Sequence, residues 1–363
     1  MNKIKKYLLI SSIFSTSLIS AACTNNQQEI TKKPNEIQKI NYQIYPLPHN
    51  VKYNNELVKV TKIKTVIGKG LDQATQDKLN EVLAQTNTIV DKSAQYQLVV
   101  GIYKNDSEAE KYLKNNYKEF YDLFDDSKTD AHQIIIDNNK IVVMGKDTNA
   151  VFYAFVSLKD ILKAKDQNSY IRHLQINDYA DLSIRGTIEG FYGIPWGNEN
   201  RAELINFGAN FKSNAFIFAP KDDPYHREKW RSLYPKKDEQ NLNYNIEGIE
   251  ELAILGEKTK NHFYWAIHPF LGKDKISNED AKIIKTIDIN TFDFNNYSNQ
   301  NQSIQDLLNK LNQVYNAGVR YFALLADDTG ELDFEAVTKI VKIIEKWKEL
   351  KSEKNLKILK IIL

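Results

Sequence analysis

From Asp181 onward the chain repeats one unit, an apolar run, then a polar or glycine-rich junction, then an amphipathic helical run. Ser183–Ile188 leads into Glu189-Gly-Phe-Tyr-Gly193, and Asn214–Phe218 into Ala219-Pro-Lys-Asp-Asp223. His262–Ile267 leads into His268-Pro269, and Val319–Leu325 into Ala326 and the paired carboxylates Asp327-Asp328. Helical spacing fills the intervals at Asn200–Phe211, Ile246–Lys260, Ser303–Asn316 and Asp333–Lys351, with a long loop after His268-Pro269. Strands alternating with helices imply parallel pairing and right-handed crossovers. Polar groups at the end of one strand after another suit a (β/α)8 TIM-type barrel, where all those ends share one face. An open doubly wound sheet is the alternative, but neither G-x-G-x-x-G nor a P-loop occurs.

The expected fold class is therefore α/β: a small N-terminal α+β domain followed by a partial barrel of about four βα units. Leu356–Leu363 reads as the start of a fifth strand. Half a barrel leaves strand edges unpaired, so the expectation is a C-terminally truncated form, with a separately encoded C-terminal half as a possible partner.

Residues 41–178 read as the first domain. Val58–Ile67 alternates with period two, Leu71–Val90 and Ser107–Phe124 carry helical spacing, and Tyr96–Ile102 is an apolar strand. His132–Asp137 and Lys140–Gly145 form a hairpin across Asn138-Asn139, residues that tolerate a tight turn. Asp147-Thr-Asn149 caps a helix over Ala150–Lys163. His132 and His173 read as structural strand residues without a nearby partner.

Ahead of this domain, Lys3, Lys5 and Lys6 precede an apolar Tyr7–Ile19 stretch and Ser20-Ala-Ala22, the layout of a signal peptide over residues 1–22. Cys23 is the sole cysteine, so no intramolecular disulfide forms. Its position resembles the acylated cysteine of bacterial lipoproteins, with Ser20 standing where an aliphatic residue is usual. Residues 23–40, rich in Asn, Gln, Lys and Glu, then read as a flexible tether. The expected location is the outer face of the cell membrane, held by lipid; a plain secretory signal is the alternative.

Lys and Arg total 49 against 47 Asp and Glu, a formal charge of +2, which argues against nucleic-acid binding by phosphate neutralisation. The strongest chemical signal is Asp327-Asp328 at the tip of a buried run. Successive strand residues point apart, so the pair is poorly placed to flank a sugar as acid and opposing nucleophile. One carboxylate orienting a substrate amide while its neighbour donates a proton removes that difficulty, and two close carboxylates raise one pKa. Metal ligation by the pair has no accompanying ligand cluster or H-E-x-x-H, so no metal and no cofactor is expected. Glu189 reads equally as a pocket residue or a structural ion pair with Arg185. Asp222-Asp223 reads as loop architecture bonding backbone donors or Arg227, Trp196 and Trp230 as packing, and His268 as structural.

Three stretches carry a family resemblance. Arg185-Gly-Thr-Ile-Glu-Gly-Phe-Tyr-Gly-Ile-Pro-Trp196, Ala219-Pro-Lys-Asp-Asp223 with Tyr225-His-Arg227 and Trp230-Arg231, and Leu324-Leu-Ala-Asp-Asp328 resemble, in order, the motifs of glycoside hydrolase family 84, the β-N-acetylglucosaminidases. The first region resembles the small domain preceding the barrel in β-hexosaminidase-type enzymes. The resemblance implies that Gly186 and Lys221 bind sugar hydroxyls, Gly186 by bringing backbone beside the ring. It implies that Asp327 orients the 2-acetamido group and Asp328 is general acid and then base, in retaining hydrolysis through an oxazoline. The implied partner is a glycan or glycoprotein bearing terminal β-linked N-acetylglucosamine. The competing expectation is a non-catalytic glycan-binding or adhesive surface lipoprotein.

Overall fold

The computed structural model describes residues 42–351 apart from 328 and 331, together with the backbone of Lys357–Ile361. The proposed signal peptide, Cys23, the tether and Asp328 lie outside the described residues. Two sheets organise the molecule.

The first holds β1 (Asn50–Lys59), β2 (Lys62–Ile67), β3 (Ile89–Val90), β4 (Gln97–Ile102), β5 (Thr129–Ile136), β6 (Lys140–Gly145) and β7 (Tyr170–Ala180), in the order β1-β7-β5-β6-β4-β2-β3. β1, β7, β5 and β6 pair antiparallel, whereas β6, β4, β2 and β3 pair parallel. The period-two pattern sorts side chains between two cores. Leu98, Val100, Ile134, Ile136, Ile141 and Val143 meet the helices Gln73–Gln85 and Thr148–Lys163 on one face. Val99, Ile135, Val142 and Met144 meet the helix Glu108–Asn116 and the short turn of helix Lys118–Tyr121 on the other.

Several expected boundaries change. Val58–Ile67 divides between β1 and β2, and the run expected to be helical to Val90 stops at Gln85 before β3. The Ser107–Phe124 helix breaks at Tyr117, which leaves helical geometry with φ −141° and ψ 48°. β7, eleven residues long, was foreshadowed only by His173. His132 and His173 do have partners: His132 Nδ1 is 2.8 Å from the Asp130 carbonyl, and His173 Nδ1 is 3.2 Å from Glu56. The Asp147 cap holds, its carboxylate accepting from the Ala150 N–H.

The second sheet is wholly parallel: β8 (Gly186–Glu189), β9 (Ala215–Phe218), β10 (His262–Ile267), β11 (Tyr321–Leu325) and β12 (Lys357–Ile361), in the order β12-β11-β10-β9-β8. The connecting helices are Asn198–Ala209, Ile246–Thr259, Gln302–Asn316 and Phe334–Leu350; a further one, Asn278–Thr286, occupies part of the expected long loop. Its Ser277–Asp280 capping box explains why a helix starts there. One face of the sheet presents Phe216, Phe218, Phe263, Trp265, Phe322 and Leu324 to these helices. The other is lined by Ala219, Ala266, Ala323 and Leu325, with Ala215, Tyr264 and Tyr321 below. Large residues toward the helices and small ones opposite leave room above the second face.

The two sheets are tied by polar bonds. Arg185 pairs with Asp130 at 2.7 Å, Lys212 with Asp178 at 2.8 Å, and the Tyr153 hydroxyl donates to the Lys260 carbonyl at 3.1 Å.

Candidate active site

The carboxyl ends of β9, β10 and β11 build the site. Ala219, Ala266 and Leu325 lie on the small-residue face, and two residues further along each chain come Lys221, His268 and Asp327, which the same periodicity brings to that side. Their contacts bear this out. Lys221 Nζ is 2.9 Å from Asp327 Oδ2, while His268 Nε2 is 2.7 Å from the Asp327 main-chain carbonyl and 3.3 Å from its Oδ1. Burial pushes the Asp327 carboxyl up, but the Lys221 hydrogen bond and charge, with His268, outweigh it and hold it below the usual carboxylate value. The result is an ionised, oriented acceptor beside a cation, suited to receiving an amide N–H.

The segment after β9 is fastened from below. Asp223, fully buried, accepts from the Tyr225 N–H at 2.8 Å and the Tyr234 hydroxyl at 2.6 Å. Burial pushes its carboxyl up to about 6, against Tyr234, Tyr225 and the buried Lys310. Lys310 donates to the carbonyls of Tyr225 and Ser232. Asp223 thus serves loop architecture through backbone, not through Arg227, which donates to the Tyr192 hydroxyl at 3.1 Å. Tyr192 itself is 67% exposed, with Lys221 Nζ 5.8 Å from its ring centroid, so its ring borders the site. Trp230 is fully buried and donates to the Asp274 carbonyl, a packing residue as expected; Trp196 lies edge-on to Phe191.

Glu189 closes β8 as a structural ion pair, but with Arg201, not Arg185. The two form a bidentate contact at 2.8 and 2.9 Å and both are fully buried. Gly186 requires the other correction. It begins β8, paired in register with Ala215, at the end of the strand opposite Lys221 and Asp327. A Cβ there would lie 1.6 Å from the Ala215 carbonyl oxygen, so close strand pairing accounts for the glycine. The glycine that follows the strand's carboxyl end is Gly190, where a Cβ would meet only Ile188, at 3.6 Å. Packing does not require a glycine at 190. β8 starts three residues later than the expected Ser183, which moves Gly186 from the strand interior to its first position. The His268–Asp327 contact joins residues 59 positions apart, a separation that carries no local sequence signal. Asp328 follows Asp327 directly but lies outside the described residues. Among the described residues no group of His, Cys, Asp and Glu could hold a metal ion.

Residues 185–359 match the beta-N-acetylglucosaminidase family, and residues 41–179 match domain 2 of glycosyl hydrolase family 20. The solved structure of CpGH84D superposes with a TM-score of 0.71 at 35% identity, covering 89% of this chain and 50% of that one. Over residues 185–359 the chain is therefore similar to the beta-N-acetylglucosaminidases of glycoside hydrolase family 84. CpGH84B, another solved structure, gives a TM-score of 0.68 at 26% identity, over 88% of this chain and 50% of that one. Among curated proteins, Protein O-GlcNAcase of Rattus norvegicus and of Mus musculus are each 34% identical over 143 residues, 39% of this chain and 12% of the relative. The chain thus spans about half the length of these solved family 84 structures. Their likeness supports a TIM-barrel-like fold for the second sheet and its helices.

Proposed function

We propose that the protein is a glycosidase removing terminal β-linked N-acetylglucosamine from glycans or glycoconjugates by substrate-assisted, retaining hydrolysis. The observation that carries this reading is the Lys221–Asp327 pair, 2.9 Å apart across the tips of β9 and β11, which flank β10, in a domain that matches the beta-N-acetylglucosaminidase family. Asp327 accepts the substrate's acetamido N–H and orients the group, so that its carbonyl oxygen attacks C1 and expels the leaving oxygen. Asp328 protonates that oxygen and then deprotonates the water that opens the oxazoline. Lys221 donates to a sugar hydroxyl. The assignment of Asp328 rests on its adjacency to Asp327 and the family motif.

In the same reading the five parallel strands are an arc of a (β/α)8 barrel whose small-residue face forms the interior. Ile188 on β8 is 50% exposed on the face that such closure would cover. Residues 41–178 form a supporting α+β domain, and Cys23 carries a lipid that holds the enzyme at the outer membrane face. Among the described residues no helix is long and apolar enough to cross a membrane. Mass spectrometry of the membrane fraction would find an acylated Cys23 at the mature N-terminus; an unmodified cysteine or an intact leader would rule the anchor out.

A chromogenic β-N-acetylglucosaminide tests the catalytic reading. The chain should release the aglycone, Asp328→Ala should abolish most turnover, and progressive fluorination of the substrate acetamido group should lower kcat by weakening its oxygen as a nucleophile. Turnover insensitive to fluorination would contradict substrate assistance. Equilibrium binding of N-acetylglucosamine glycans without turnover would favour a non-catalytic lectin-like protein.

A further inference from the structure

We propose that His268 is the positioning residue for Asp327, holding its carboxylate where the substrate amide meets it; the inference rests on the glycosidase reading above. His268 follows β10, between the strand tips that carry Lys221 and Asp327, and is 1% exposed. Its Nε2 lies 2.7 Å from the Asp327 carbonyl oxygen. A carbonyl only accepts, so Nε2 carries the proton and the tautomer is set. The same nitrogen lies 3.3 Å from Asp327 Oδ1. One imidazole therefore restrains both the main chain of Asp327 and the rotation of its side chain.

His268 is itself held from the β9 side. Its main-chain N–H donates to the His226 carbonyl at 2.8 Å, and His226 Nε2 is 2.8 Å from the carbonyl of Pro220, the residue before Lys221. Hydrogen bonds thus run from Pro220 through His226 and His268 to Asp327, alongside the direct Lys221–Asp327 pair. Both rings are buried, and neither Nδ1 has a partner among the described residues. An unprotonated Nδ1 tolerates this better than a protonated one, which would add an unpaired buried donor. The charged groups facing His268 are Asp327, which favours a proton, and Arg227 and Lys221, which oppose it. Burial opposes it most, and the imidazole is held below its usual value. His268 therefore acts by geometry and stays neutral at physiological pH.

Two readouts on the full chain test the proposal. In isotope-labelled protein, NMR should find His268 as the Nε2–H tautomer with its titration displaced below the usual histidine value, and the Asp327 carboxyl titrating below its usual value. His268→Phe, which keeps the ring but lacks the donor, should move the Asp327 titration upward. His268→Gln, whose amide nitrogen can occupy the Nε2 position, should keep it near the parent value. In turnover of a chromogenic β-N-acetylglucosaminide, His268→Phe and His268→Ala should lower kcat by up to about 100-fold, with KM changed less than about threefold and substantial rescue by His268→Gln. An Nδ1–H tautomer would overturn the proposal. So would an Asp327 titration unchanged in His268→Phe, or a folded His268→Gln as impaired as His268→Ala. Absence of turnover in the parent chain would defeat the glycosidase reading, while the titration readout would still decide whether His268 positions Asp327.

Discussion

Replacing Arg201 by methionine should strip Glu189, at the end of β8, of its counterion in a site without water access. Glu189 and Arg201 are each 0% exposed and share two charge-assisted hydrogen bonds at 2.8 and 2.9 Å. Such bonds are worth about 1.5–3 kcal/mol each. That agrees with the roughly 3–5 kcal/mol lost when one partner of a buried pair is removed. Arg201 also donates to Asn198 Oδ1 at 2.9 Å and lies over the Phe218 ring at 4.9 Å, a contact the methionine stem partly retains. At about 2–4 °C per kcal/mol for a domain of this size, the thermal midpoint should fall by roughly 6–20 °C. The double variant Glu189→Met with Arg201→Met removes both charges and fills similar volume, so it should recover to within about 1–2 kcal/mol of the parent. Circular dichroism melts of parent, single and double variants provide the assay. A single variant within about 1 kcal/mol of the parent, or a double variant no more stable than the single, would refute the assignment of Glu189 as a structural anchor.

Four further expectations concern Gly186, Gly190 and the ion pairs of His49 and Asp178. Gly186→Ala should destabilise the fold by about 3 kcal/mol, because the added Cβ meets the Ala215 carbonyl at 1.6 Å, and denaturant unfolding would show it. Gly190→Ala should leave the unfolding midpoint nearly unchanged and instead raise KM; a KM effect confined to Gly186 would reverse the placement of the two glycines. Between the sheets, His49 lies 3.0 Å from Asp178 and 3.2 Å from Asp181, and its hydrogen bond to Asp178 leads the causes that raise its pKa. Its stabilising contribution is complete below the unfolded histidine value near 6.5 and is lost as pH rises through the higher folded value. The thermal midpoint should accordingly decline between about pH 6 and 8 more steeply in the parent than in His49→Gln, and equal slopes would contradict that ion pair. Asp178 has the opposite dependence. Burial pushes its carboxyl up but Lys212, His132 and His49 outweigh it, so its contribution is lost only as pH falls below the ordinary aspartate range.

The parallel βα region was legible because each strand is a short apolar run ended by a sharp change to polar residues. Tyr321–Leu325, wholly buried, is the clearest case. Caps at Asp147 and the Asn138-Asn139 hairpin were equally local signals. β7 was not legible as a bounded strand, since Arg172, His173, Gln175, Asn177 and Asp178 interrupt its apolar pattern. Four of those side chains are held by distant partners: Arg172 by the carbonyl of Asn54, His173 by Glu56, Asn177 by the Gln133 amide, and Asp178 by Lys212. The same limit applied at the site. The motifs pointed to Lys221 and Asp327, but the partner of Glu189 sits on the following helix and that of Arg185 on the other sheet. Such pairings are set by how elements pack, and residue spacing does not encode them. Gly186 shows the converse error, in which a glycine demanded by strand pairing carries the same letter as one available to a ligand.

Retaining, substrate-assisted release of N-acetylglucosamine at the Lys221–Asp327 rim is tested most directly by the anomer first formed. Proton NMR during hydrolysis of an aryl β-N-acetylglucosaminide by the chain should show β-N-acetylglucosamine appearing first, with the α anomer following at the rate of mutarotation. Initial formation of the α anomer, or no release of sugar under conditions where the protein is folded, would contradict it.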